Sequence, residues 1–275
     1  MRGKIVMPKV VILAGGLGTR LSEATDLRPK PMVEIAGRPI LHHIMERYAY
    51  YGFNEFVIAL GYKGGVIKRY FRDWVELRGD FTVQIDEASF ALHRHAVRDS
   101  QDSSDWTIHL VETGANTMTG GRLRRLASMV KDETFLLTYG DGVADVDLAA
   151  VLDHHQRAGL TATITAVRPP ARFGGLVLRD DPNSTVERFT EKPQIGEGWI
   201  NGGFMAFEPA VLDSLIDDDT VLEAHVLEKL AAEGQLAAYQ HTGFWQCMDT
   251  IRDVRVLEAL AAEGHPPWRP PVRNG

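Results

Sequence analysis

The sequence predicts an α/β protein: a mixed, mostly parallel sheet flanked by helices, with a smaller antiparallel part and an insertion at one sheet edge. Three observations carry this. Apolar runs alternate with stretches of helical period through the first half, the pattern of stacked βαβ units. After Thr161 the period shortens to two, as in antiparallel strands. Between Phe71 and Trp106 both rhythms lapse. With 275 residues, 44% of them hydrophobic, the chain can bury one large α/β core. Residues 8–265 are therefore expected to form a single domain, with 72–106 as the insertion and 266–275 as an extended tail.

The elements follow in order. Val10 to Leu13 is a buried strand that empties into a glycine-rich turn. Ile40, Leu41, Ile44, Met45 and Tyr48 recur at helical spacing and Gly52 ends them, so 39–51 is a helix. Phe56 to Leu60 is the next strand, closed by Gly61. The insertion carries a short alternating strand, Phe81 to Ile85, and a polar run from Asp99 to Asp105. Thr107 to Val111 resumes the strand pattern and opens a second glycine-containing loop, Thr113 to Arg122. A helix through Leu123, Leu126 and Met129 follows. Phe135 to Thr138 forms another buried strand and stops at Tyr139-Gly140-Asp141-Gly142. Thr161 to Thr165 and a meander from Leu176 to Phe189 read as antiparallel, and helices at 220–233 and 250–262 close the chain. The proline-rich Pro266 to Pro271 cannot be helical and reads as a strap or a fraying end.

Composition narrows the function classes. A formal charge of −7 argues against a nucleic-acid partner. One cysteine, Cys247, excludes an intrachain disulfide, and no Cys/His set has structural zinc spacing. Both facts suit a reducing cytoplasm. The basic segment Met1 to Met7 is not followed by an apolar run of the signal-peptide kind, and no stretch approaches a membrane span. His42-His43 and His154-His155 fall in helical stretches and read as polar-face residues; His93 and His95 share a strand face without a third metal ligand. Met45, Met118 and Met129 read as core filler.

The chemistry is announced by LAGGLGTRL, Leu13 to Leu21. A strand that runs into successive glycines lets backbone N–H groups converge on an anion. A P-loop is excluded because no Gly-Lys-Ser/Thr follows at the required spacing, and Leu21 breaks a dinucleotide fingerprint. Arg20, Lys30, Asp141, the triplet Glu191-Lys192-Pro193 and Asp249 lie at strand ends or loops. Two carboxylates, three cations and glycine loops fit a metal-assisted phosphoryl or nucleotidyl transfer, in which an already ionised phosphate attacks and no histidine or cysteine is needed. Mg²⁺ is held by one or two carboxylates plus substrate phosphates, which suits Asp141 and Asp249. Each residue has a plainer reading as well: Asp141 as the cap of a helix near Asp145, Asp249 as the cap of the last helix, Arg20 as a surface ion pair, Lys30 as a structural residue between prolines, and Glu191-Lys192 as a solvated strand end.

These residues bring the chain close to a known family. LAGGLGTRL at 13–21 and PKPMVEI at 29–35 resemble the sugar-1-phosphate nucleotidyltransferases. EKP at 191–193 and INGGF at 200–204 are further marks of the resemblance, and TGANTMTGGRL at 113–123, TYGDGVAD at 138–145 and GFWQCMDT at 243–250 are similar to the family's glucose-1-phosphate cytidylyltransferase branch. The resemblance implies a Rossmann-like core with an added sugar-binding part, and the reaction of CTP with glucose 1-phosphate to give CDP-glucose and pyrophosphate. It implies catalytic roles for Arg20, Lys30, Asp141 and Lys192. Nucleotide contacts would come from Leu13, Ala14, Gly15, Gly16, Leu17, Gly18, Thr19, Arg20, Lys30, Thr113, Met118, Thr119, Gly120, Gly121 and Gly140. Sugar-phosphate contacts would come from Tyr139, Glu191, Lys192, Asn201 and Gly202, with Mg²⁺ on Asp141 and Asp249. A homo-oligomer is implied, with the insertion near a subunit contact. The alternatives are a uridylyl- or thymidylyltransferase, or a non-catalytic regulatory subunit of the same fold.

Overall fold

The computed structural model describes residues 7–16, 28–77, 81–85, 90–94, 105–169, 175–178, 186–190 and 198–271. Its first half contains β1 (Val10–Leu13), β2 (Glu34–Ile35), β3 (Arg38–Pro39), α1 (Ile40–Tyr50), β4 (Glu55–Leu60), α2 (Gly64–Glu76), β5 (Phe81–Ile85), β6 (Phe90–Arg94) and β7 (Thr107–Glu112). The middle contains α3 (Thr119–Arg125), α4 (Ala127–Val130), β8 (Phe135–Tyr139), β9 (Gly142–Ala144), α5 (Leu148–Ala158) and β10 (Ala162–Val167). Then come β11 (Gly175–Leu178), β12 (Val186–Thr190), β13 (Ile200–Phe207), a π-helical turn (Leu222–Leu227), α6 (Glu228–Ala232), β14 (Leu236–His241), β15 (Trp245–Cys247) and α7 (Ile251–Ala262).

Seven strands form the central sheet in the order β14-β10-β13-β8-β1-β4-β7. β1 lies parallel between β4 and β8, and β4 pairs parallel with β7. All four residues of β1 are buried because both faces of a parallel sheet are covered. Val10 and Ile12 enter one apolar cluster with α1 and Ile67 of α2; Val11 and Leu13 enter the other with Leu123 of α3 and Val226 of the π turn.

The antiparallel expectation holds for β10, which pairs antiparallel with β13, and for β11 with β12, but the later strands do not form a separate meander. β10, β13 and β14 extend the same central sheet, and only β13 is reversed: it is antiparallel to both β8 and β10, while β14 is parallel to β10. The antiparallel β11–β12 pair stands apart as a two-stranded sheet. Alternation in Thr161 to Thr165 reflected residue type, since Thr163 and Thr165 are as fully buried as Ala162. Helix α2 continues to Glu76, so the expected insertion begins within a helix, and β5 pairs with β6 beyond it.

The histidines also need correction. His42, His43 and His155 are buried, not solvated. His42 Nδ1 bonds the Tyr70 hydroxyl at 2.8 Å, and its ring packs against Trp74 and Trp106. Neighbouring aromatic residues thus cover a face that α1's own pattern marks as polar. The tail is anchored: Trp268 is fully buried, its ring near His43 and Phe244. His93 lies on β6, and His95 lies outside the described residues.

Candidate functional site

The parallel strands β1 and β8 end side by side, and their turns are held level by backbone bonds. Gly140 N–H donates to Leu13 O at 3.1 Å, and on the other side of β1 Ala14 N–H donates to Ala59 O of β4 at 3.1 Å. This is the carboxyl edge of the sheet, where open α/β folds bind ligands. Asp141 follows directly from β8.

Asp249 arrives from more than a hundred residues away. β15 pairs antiparallel with β9, with Cys247 opposite Gly142, and Met248 N–H donates to the Asp141 carbonyl at 2.9 Å. Asp249 follows, and Thr250 then caps α7: Thr250 Oγ1 accepts from Asp253 N–H at 3.3 Å while the Asp253 carboxylate accepts from Thr250 N–H at 2.8 Å and Asp249 N–H at 3.0 Å. The cap of α5 is Asp147, which accepts from Ala150 N–H at 2.9 Å. Neither Asp141 nor Asp249 is therefore a helix cap.

Lys30 joins the two acids. The short 3-10 turn Lys30–Met32, bracketed by Pro29 and Pro31, aims its ammonium between them: Nζ donates to Asp141 Oδ2 at 2.6 Å and to Asp249 Oδ1 at 2.5 Å. Burial disfavours the charge, but the two carboxylates outweigh it and raise the lysine pKa above its ordinary value. Among the described residues no group of three or more His, Cys, Asp or Glu side chains could hold a metal by itself. A pair of carboxylates held around one lysine, of which Asp141 lines the adjoining cavity, nonetheless fits Mg²⁺, which keeps waters and takes substrate oxygens as its remaining ligands.

Beside this triad lies a cavity of about 320 Å³. Leu13, Ala14, Gly15 and Gly16 line one side, Met118 and Thr119 another, and Lys30, Tyr139, Gly140 and Asp141 the base. Met118 is exposed at this cavity, contrary to its reading as core filler, whereas Met45 is buried and Met129 packs on the core. Thr113 does not face the cavity: it is fully buried, and its Oγ1 donates to Leu60 O at 2.7 Å. Gly120 and Gly121 are glycines for packing. A Cβ on Gly121 would lie 2.4 Å from Asp218 O, and one on Gly120 would lie 2.7 Å from Thr220 Cγ2. Gly202 packs against Val167, and its carbonyl accepts from Trp245 Nε1 at 2.8 Å. Leu17, Gly18, Thr19, Arg20, Glu191 and Lys192 lie outside the described residues.

Two residues at the site escape sequence reasoning. Arg122, nearly buried, donates to Leu60 O at 3.1 Å, Gly114 O at 2.8 Å and Gly15 O at 3.0 Å, tying the first glycine turn to the second loop. Burial pushes its pKa down, with a smaller push from Arg125. Gly15 and Gly61 make room for it, since a Cβ on either would lie within 2.4 Å of Nη1. Glu223, in the π turn, accepts from the Tyr139 hydroxyl with Oε1 and from Thr119 Oγ1 at 2.8 Å with Oε2. Neither left a sequence signal: most acceptors of Arg122 are backbone carbonyls, and one acid on a predicted helix normally marks its solvated face.

Comparison with known proteins agrees with this architecture. A family model described as Nucleotidyl transferase matches residues 9–251. The glucose-1-phosphate cytidylyltransferase of Salmonella typhimurium is 49% identical over 262 residues, covering 95% of this chain and 98% of that protein. A Bacillus subtilis protein named "Probable glucose-1-phosphate cytidylyltransferase" is 42% identical over 242 residues, covering 88% and 91%. The crystal structure of HddC from Yersinia pseudotuberculosis superposes with a TM-score of 0.65 at 23% identity, covering 92% of this chain and 99% of that one, a likeness of fold.

Proposed function

This chain belongs to the nucleotidyl transferase family, and from that premise we propose that it joins CTP and α-D-glucose 1-phosphate to give CDP-glucose and pyrophosphate. The observation that carries the reading is Lys30 held between Asp141 and Asp249 at the carboxyl edge of the sheet. The names of its relatives supply the base and the sugar.

The chemistry needs alignment and charge neutralisation more than a base. An oxygen of the sugar phosphate, ionised at neutral pH, attacks the α-phosphorus of CTP as pyrophosphate leaves in line. Among the described residues lining the cavity there is no histidine or cysteine, in keeping with a nucleophile that arrives deprotonated. Mg²⁺ on Asp141 and Asp249 would supply positive charge to the triphosphate oxygens. Lys30, its pKa raised, stays a cation throughout the neutral range and acts as a counter-charge, not as a proton acceptor. Residues 13–20 gather the phosphates, and Met118 and Thr119 border the nucleotide. Tyr139, Asn201, Glu191 and Lys192 serve the sugar phosphate. Residues 8–265 act as one domain, in a cytoplasmic homo-oligomer.

The test is pyrophosphate release from a four-nucleotide panel with glucose 1-phosphate and Mg²⁺. Release with CTP at least tenfold above UTP, dTTP and GTP is expected. Preference for UTP or dTTP would move the chain to another branch, and no release with any nucleotide at high protein concentration would favour a non-catalytic subunit.

A further inference from the structure

Glu223 is not itself among the described residues lining the cavity, but it accepts from the hydroxyl groups of two residues that are. Tyr139, at the end of β8, gives its phenolic proton to Oε1, and Thr119, the first residue of α3, gives its hydroxyl proton to Oε2 at 2.8 Å. Thr119 Oγ1 also accepts from the protein: the backbone N–H of Leu222 donates to it at 2.9 Å. Beyond Tyr139, the Asn201 Oδ1 is taken up by Gly203 N–H at 2.9 Å.

An ionised carboxylate has no proton to give, so the direction of every bond in this chain is fixed. Each hydroxyl has committed its only proton to Glu223 and keeps a lone pair for a ligand. From this we infer that Glu223 is a positioning residue for specificity: it presents Thr119 and Tyr139 to the substrates as acceptors only, so the substrate groups lodged against them are donors. Among nucleoside triphosphates and sugar phosphates such donors are the exocyclic amino group of a base and the hydroxyls of a sugar. A substrate that offers a carbonyl or fluorine at the same place sets lone pair against lone pair and leaves a buried acceptor unpaired, which sites of this kind reject strongly.

This inference rests on the proposed activity and sharpens its choice of substrate. Glu223→Gln keeps the shape and gives the site an amide NH₂ that can donate to one hydroxyl, freeing that hydroxyl's proton to face the substrate. The experiment compares the native protein with Glu223→Gln and Thr119→Val. It measures kcat/KM for CTP against UTP and for glucose 1-phosphate against its mono-deoxyfluoro analogues, and dissociation constants for both nucleotides by calorimetry, with thermal midpoints recorded to confirm folding. At least one of these preferences is expected to exceed tenfold in the native protein and to shrink at least fivefold in Glu223→Gln. Thr119→Val tests the base side alone, and there the CTP/UTP ratio should shrink. Ratios unchanged in a folded Glu223→Gln would overturn the inference while leaving a CTP-dependent activity intact. Failure of the native protein to bind either nucleotide would sink the proposed activity, and this inference with it.

Discussion

Two polar clusters occupy this sheet, and they differ in what their surroundings allow. At the carboxyl edge, Lys30 bridges Asp141 and Asp249 beside an open cavity. In the layer between α5 and β10, His155 Nδ1 meets Thr163 Oγ1 at 2.9 Å and its Nε2 meets Glu208 Oε1 at 3.2 Å. The second cluster has the residue types of a hydroxyl–imidazole–carboxylate triad, yet Thr163 and His155 are sealed from solvent. Its bonds satisfy buried polar groups and do no chemistry. Residue type proposes a reaction, and access decides whether one can occur.

The sharpest way to break this contrast is to remove one acid from the open cluster. Asp141→Asn should lower kcat at least a hundredfold, on the order expected when a charged stabiliser of a phosphoryl transition state is lost, while the circular-dichroism spectrum stays native. A loss below threefold at saturating Mg²⁺ would take Asp141 out of the mechanism. Lys30→Met probes the same cluster from the other side. It leaves two carboxylates without their shared cation, so added Mg²⁺ should raise its thermal midpoint more than that of the native protein; equal shifts would separate the metal from this pair.

The closed cluster should answer to pH. Burial lowers the pKa of His155, and also of His43, below the ordinary histidine value near 6.5, despite opposing pulls from Glu208 and from the Ile35 carbonyl and Glu46. The unfolded chain then binds protons that the native state refuses as pH falls through that value. Stability is therefore complete above about pH 6.5 and declines below it, by at most about 1.4 kcal/mol per pH unit for each histidine. Unfolding midpoints between pH 8 and 5 check this, and His155→Gln should flatten part of the slope. A smaller effect is expected at the cap that frees Asp249: Thr250→Ala should cost about 1 kcal/mol in denaturant unfolding, and should weaken Mg²⁺ binding if cap and acid are coupled.

The same contrast explains what the sequence revealed. β1, the glycines Gly15 and Gly16 and Asp141 were legible because each sits in or just after an apolar run, where local pattern and the cavity coincide. That Asp249 meets Asp141 depends on the pairing of β15 with β9, and no local signal encodes a pairing across so many residues. Arg122 was invisible as a bridge because most of its acceptors are backbone carbonyls, which every residue has. The sequence marks Gly120 and Gly121 as ligand glycines, and the structure adds a packing reason that no local pattern carries: a Cβ on either would collide with Thr220 or Asp218. The histidines on α1 and α5 misled for the converse reason: helical period marks which residues share a face, and tertiary packing decides whether another element covers it.

The most direct measurement is an anomalous difference map from a crystal soaked with CTP and Mn²⁺ as a heavier substitute for Mg²⁺. The account predicts a peak bonded to Asp141, Asp249 and triphosphate oxygens, with Lys30 displaced from between the acids. A metal and triphosphate bound elsewhere, with Lys30 still bridging the two carboxylates, would contradict it.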